Sequence, residues 1–142
     1  MNSVASVAVV AHEFGHAVQD AERYVPLKVR GAIVPAIQVS SWVAPIMFMA
    51  GALLQIEPLI WLGIIGFAAM AVFSLVTLPV EFDASRRALV MLQSNNVLDA
   101  DELTGAKKVL DAAALTNIAA AAQAIMTLLY YLTLVTGNRR RE

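Results

Sequence analysis

Residues 31–56 read GAIVPAIQVSSWVAPIMFMAGALLQI and residues 58–80 read PLIWLGIIGFAAMAVFSLVTLPV. Neither stretch contains an Asp, Glu, Lys or Arg, and only Glu57 separates them. A third uncharged stretch, residues 112–138, reads AAALTNIAAAAQAIMTLLYYLTLVTGN. The three hold 26, 23 and 27 residues, whereas a helix needs about 20 to cross the hydrocarbon of a bilayer. They predict an all-α membrane protein with three transmembrane helices at about 33–55, 59–79 and 113–136. Pro35 and Pro45 do not oppose this reading, because membrane helices tolerate proline.

The composition of the 142 residues points the same way. Hydrophobic residues make up 59% and charged residues 15%, against roughly 45–50% and 25% in soluble domains. The mean hydropathy is +0.69. A small soluble domain leaves too much surface in water to hide such an excess, and a disordered chain is poor in apolar residues. Lys and Arg (10) nearly balance Asp and Glu (11), so charge gives no reason to expect nucleic acid as a partner. The expected partners are the lipid bilayer and a peptide or membrane-protein substrate. Cysteine is absent, so a transition-metal site has to be built from His, Asp or Glu.

Outside the spans the chain reads as helix and turn. The segment from Val4 to about Arg23 is too short and polar to span, and predicts a helix closed before Pro26. Between the second and third spans, Ala84–Leu92 carries helix-forming residues and ends at Ser94-Asn95-Asn96. Asp99 with Glu102 three residues on matches a helix-capping pattern, and a second short polar helix is expected from about Ala100, either separate or continuing straight into the third span. No segment alternates with period two, so sheet is not expected. Gly63, Gly66 and Ala119–Ala122 read as close-packing positions.

Both histidines of the chain lie in His12-Glu13-Phe14-Gly15-His16. On a helix, positions i and i+4 share a face, so both imidazoles can reach one ion. Glu13 between them is placed to take a proton from a bound water, the HExxH arrangement of zinc hydrolases. Catalytic zinc commonly keeps three protein ligands and one open position, so the third ligand here is a carboxylate. Asp20 sits a helical turn beyond His16. The hairpin of the first two spans returns the chain to the HExxH level at Pro79, leaving Glu81, Asp83 and the acids of 99–111. Glu81 is the first choice and Asp83 the second.

Three blocks then carry a resemblance: HEFGHAVQ at 12–19, LPVEFDASRRA at 78–88 and GAKKVL at 105–110. In this order they resemble the YugP-type family of bacterial membrane zinc metallopeptidases, over nearly the whole chain. The resemblance implies one Zn2+ held by His12, His16 and Glu81, with Glu13 as catalytic base. In the wider group of membrane metalloproteases an Asp often follows the liganding Glu by four residues, and here that position is Ser85. Family members also carry a membrane segment before HExxH, so residues 1–142 are expected to form a single metallopeptidase domain without that segment.

The expected function is hydrolysis of peptide bonds by a membrane-bound zinc endopeptidase. One alternative is an intramembrane, site-2-type protease; the charges between Asp20 and Arg30 and the lack of an Asp-Gly turn in a later span oppose it. Another is a non-catalytic scaffold that retains a zinc site. Arg86 and Arg87 are candidates for stabilising an oxyanion, weighed against a solvated basic pair. Seven basic residues (Arg23, Lys28, Arg30, Arg86, Arg87, Lys107 and Lys108) lie on the HExxH side, against Arg139–Arg141 on the other. That imbalance predicts a cytoplasmic active site in the cell membrane.

Overall fold

The computed structural model describes residues 3–141, and every regular element among them is helical: α1 (Val4–Ala21), α2 (Val25–Leu54), α3 (Glu57–Ser94) and α4 (Ala100–Arg141). Three short breaks separate the helices, and each is made by one non-glycine residue in the left-handed region. These are Arg23 (φ 58°), Gln55 (φ 55°) and Asn96 (φ 50°). After each, the next amide donates back to a carbonyl of the helix just ended. Tyr24 N–H reaches Gln19 O (2.8 Å), Ile56 N–H reaches Gly51 O (2.9 Å) and Val97 N–H reaches Leu92 O (3.3 Å). This is the six-to-one bond that satisfies orphan carbonyls at a helix end. Pro26 and Pro58 then fall in the first turns of α2 and α3, where a missing N–H costs nothing.

The three apolar stretches lie in α2, α3 and α4, each long and apolar enough to cross a membrane. The helices exceed the expected spans. α2 starts at Val25 and so includes Lys28 and Arg30. Ala84–Leu92 is not a separate element but the end of α3, and the helix from Ala100 runs straight on into the third span as α4. Pro79 lies inside α3, where it removes a single backbone donor, and no other breaker follows before Ser94. The capping pattern at α4 forms as read, with Glu102 N–H on Asp99 Oδ1 (2.8 Å) and Asp99 N–H on Glu102 Oε1 (3.2 Å).

The helices sort into two compact units, Met1–Gly31 with Val76–Ile118, and Ala32–Leu75 with Ala119–Glu142. In the second unit small residues let α2 and α3 touch. A side chain at Gly66 would lie 2.6 Å from Ala44 Cβ, and one at Gly63 would lie 2.8 Å from Phe48 Cβ. Tyr131 of α4 stacks on Phe67 at 4.4 Å and meets Phe48 edge-on at 4.5 Å. The outward residues are Trp42, Ile46, Met49, Leu53, Ile65 and Met126, all exposed. Apolar side chains turned outward around a thin core are what lipid selects and water penalises. The chain is a multi-helix membrane protein.

The first unit has a different interior. Its core is Ala8 and Ala11 of α1, Ala88 and Leu92 of α3, and Ala106 and Leu110 of α4. Four of these six are alanines, so the helices meet nearly backbone to backbone. Gly105 continues the contact on α4, where an added Cβ would lie 3.3 Å from Val4. The reciprocal cap at Asp99 starts the helix that closes this core. Asp99→Ala removes it at a typical cost of about 1 kcal/mol, expected as a lower thermal midpoint in detergent by circular dichroism.

Candidate metal centre

The buried residues of α1 are Ala8, Ala11, Gly15 and Gln19. The facing residues of α3 are Val80, Ala84, Ala88 and Leu92, all at most 1% exposed. Both stripes have helical periodicity, and they form one seam. At its tightest point a Cβ on Gly15 would collide with the carbonyl oxygen of Ala84. Only glycine permits that approach.

His12 and His16 each stand one residue beyond a seam position of α1, and Glu81 and Ser85 one beyond a seam position of α3. The seam therefore delivers all four to the same edge. His12 Nε2 lies 2.8 Å from Glu81 Oε2, and His16 Nε2 lies 3.3 Å from Glu81 Oε1. The two imidazole rings stand 4.7 Å apart at 86° to one another. One donor atom from each of His12, His16 and Glu81 lies within 4.8 Å of the others. All three side chains are partly exposed, at 15%, 19% and 14%.

Each ligand candidate is held from behind. His12 Nδ1 is 3.0 Å from Ser85 Oγ, and His16 Nδ1 is 2.9 Å from Gln19 Oε1. With Nδ1 engaged on both rings, both Nε2 atoms face Glu81. Arg30 of α2 donates to Glu81 Oε1 at 2.7 Å. Its positive charge offsets the cost of holding the half-buried carboxylate. Two imidazole nitrogens and one carboxylate, with hydrogen-bonded outer nitrogens, form a donor set that fits a metal ion such as zinc.

The structure thus brings together His12, His16 and Glu81 of the residues expected from sequence. Asp83, the second choice, points elsewhere: it accepts from Gln19 Nε2 (2.9 Å), Arg87 Nε (2.6 Å) and Arg86 (2.5 Å). The acids of 99–111 and Asp20 are not in the cluster. Glu13 is exposed on the next face of α1. Ser85 makes the outer contact to His12 by its hydroxyl. Arg87 is engaged by Asp83 and Glu22 and lies 5.6 Å from the Tyr24 ring centroid. Arg86 is a largely exposed partner of Asp83.

Sequence reading missed Gln19 and Arg30. Gln19 had a legible signal, since it continues the i, i+4 stripe of Ala11 and Gly15 and is a polar residue at a core position. Arg30 had no local signal, because only the turn at Arg23 brings the start of α2 back over the site.

A helical membrane protein that gathers two histidines and a glutamate in this way falls among metal-site proteins of the HExxH kind. The chain belongs to the family described as "putative neutral zinc metallopeptidase", whose model matches residues 1–136. It is 43% identical over 137 residues to the "putative membrane protease YugP" of Bacillus subtilis (strain 168), an alignment covering 96% of this chain and 61% of that relative. The chain thus spans less than two thirds of that relative's length. No solved structure matches the chain.

The Gly15–Ala84 contact places the histidines against Glu81, so adding one methyl group there tests the geometry. Gly15→Ala is expected to destabilise the fold by about 1–3 kcal/mol, the usual cost of overpacking. It should also lower metal retention, measured by metal content after gel filtration in detergent.

Proposed function

We propose that this chain is a membrane-bound endopeptidase, hydrolysing peptide bonds with one zinc ion held by His12, His16 and Glu81. The observation that carries the reading is the convergence of these three side chains, each backed by a hydrogen bond or ion pair from Ser85, Gln19 or Arg30. Membership in a zinc metallopeptidase family supports it.

Zinc at such a site supplies Lewis acidity toward a carbonyl and lowers the pKa of a bound water to about 7. The remaining chemistry falls to the protein. Glu13 follows His12 directly and is exposed on α1, so its carboxylate accepts the proton of the attacking water and returns it to the leaving amine. Ser85 and Gln19 keep the two imidazoles aimed at one point. Arg30 holds one oxygen of Glu81, leaving the other directed at His12. Arg87 is committed to Asp83 and Glu22 and is left out of the reacting groups. The site faces the cytoplasm in this reading, on the excess of Lys and Arg around it.

Glu13→Gln is expected to retain zinc while slowing cleavage of a fluorogenic peptide by about 10²–10⁴-fold, the usual contribution of a general base. His12→Ala should lose both zinc and cleavage. Undiminished cleavage by zinc-loaded Glu13→Gln protein would defeat the mechanism. For sidedness, a cysteine introduced beside Gly105 should react with a membrane-impermeant thiol reagent only after the cells are opened. Labelling of intact cells would reverse the orientation.

A further inference from the structure

Gln19 is the one fully buried polar side chain of α1, at 0% exposure. Its amide nitrogen donates to two groups that can only accept: the backbone carbonyl of Val80 and the carboxylate of Asp83, both at 2.9 Å. Asp83 is itself fixed by the guanidinium groups of Arg86 and Arg87, and Arg87 is tied to Glu22. The Gln19 amide cannot be turned over without setting its oxygen against two other oxygens. Its Oε1 therefore points at His16 Nδ1, 2.9 Å away. An amide oxygen has no proton to give.

We infer that Gln19 is a positioning residue that holds a proton on His16 Nδ1 and so reserves Nε2, which lies 3.3 Å from Glu81 Oε1, as the nitrogen for a metal ion; this rests on the metallopeptidase reading above. The two histidines are then set by unlike devices. The Ser85 hydroxyl beside His12 can donate or accept by rotating its hydrogen, so it orients that ring without dictating where its proton sits. The buried amide beside His16 allows one arrangement only. Asp83, Arg87 and Glu22 act through Gln19 and touch neither histidine in any hydrogen bond or ion pair described. The sequence Gln19–Asp83–Arg87–Glu22 is thus a brace running from the site to the surface of α1 and α3.

The test is nitrogen-15 NMR of the full chain in detergent micelles, labelled at histidine, metal-free and in alkaline buffer. Only two imidazoles contribute, and a His12→Asn variant assigns them. His16 is expected to show a protonated Nδ1. Gln19→Met, similar in size but without the amide, should give a mixture of tautomers and bind zinc about 10–100-fold more weakly, the usual loss when such an outer contact is removed. Zinc affinity is read by competition with a chromophoric chelator. His16 found with a bare Nδ1 in the wild-type chain would overturn the inference. So would unchanged tautomer and zinc affinity in folded Gln19→Met protein. If that variant does not fold, the wild-type tautomer alone decides. Failure of the wild-type chain to bind zinc or cleave peptides would count against the metallopeptidase reading instead, because the tautomer is read without metal.

Discussion

The contact between Gly15 and the backbone of Ala84 governs the geometry of the first unit. Two helices lined by alanine and glycine approach until main chain meets main chain. Side chains one position off the seam are then forced toward each other at its edge. His12 and His16 on one helix and Glu81 and Ser85 on the other occupy those positions. The distance between the helices fixes the distance between their functional groups. A larger residue in the seam would push α1 away from α3 and so lengthen every distance between the histidines and Glu81.

Polar contacts surround that seam in proportion to their burial. Gln19, fully buried, has both donors and its acceptor satisfied. Asp83, 8% exposed, carries two guanidinium partners, as a carboxylate withdrawn from water requires. Arg30 plays the same part for Glu81 from α2. No buried side-chain nitrogen or oxygen among the described residues lacks a partner. That completeness makes the arrangement stiff, because turning one group unpairs its neighbours.

The second unit obeys a different solvent rule. Among its described residues few are buried, and most of the exposed side chains are apolar. Helices in lipid gain little by hiding such groups from their surroundings. Association depends instead on small residues that admit close packing, seen at Gly51, Gly63 and Gly66. Aromatic stacking of Tyr131 on Phe67 adds a specific contact.

The helical class, the three spans and the pair of histidines were legible from sequence because each rests on local or periodic information. Uncharged length selects membrane helices, and i, i+4 spacing puts two imidazoles on one face. The cap at Asp99 was likewise readable, since its partner Glu102 lies three residues away. Glu81 was narrowed by hairpin topology but not separated from Asp83 until the helix phase was fixed. Two residues of α3 differ in direction by about 200°, and this sends Glu81 to the histidines and Asp83 to Gln19. The unbroken run of α3 through Pro79 set that phase. Gln19, Ser85 and Arg30 took their places only in the folded chain. Their partners lie between 3 and 73 residues away, and even the nearest contact depends on an amide pinned by a distant helix. Sequence alone put both histidines on one helix face; the phase of α3 and the close packing at Gly15 decided which carboxylate meets them.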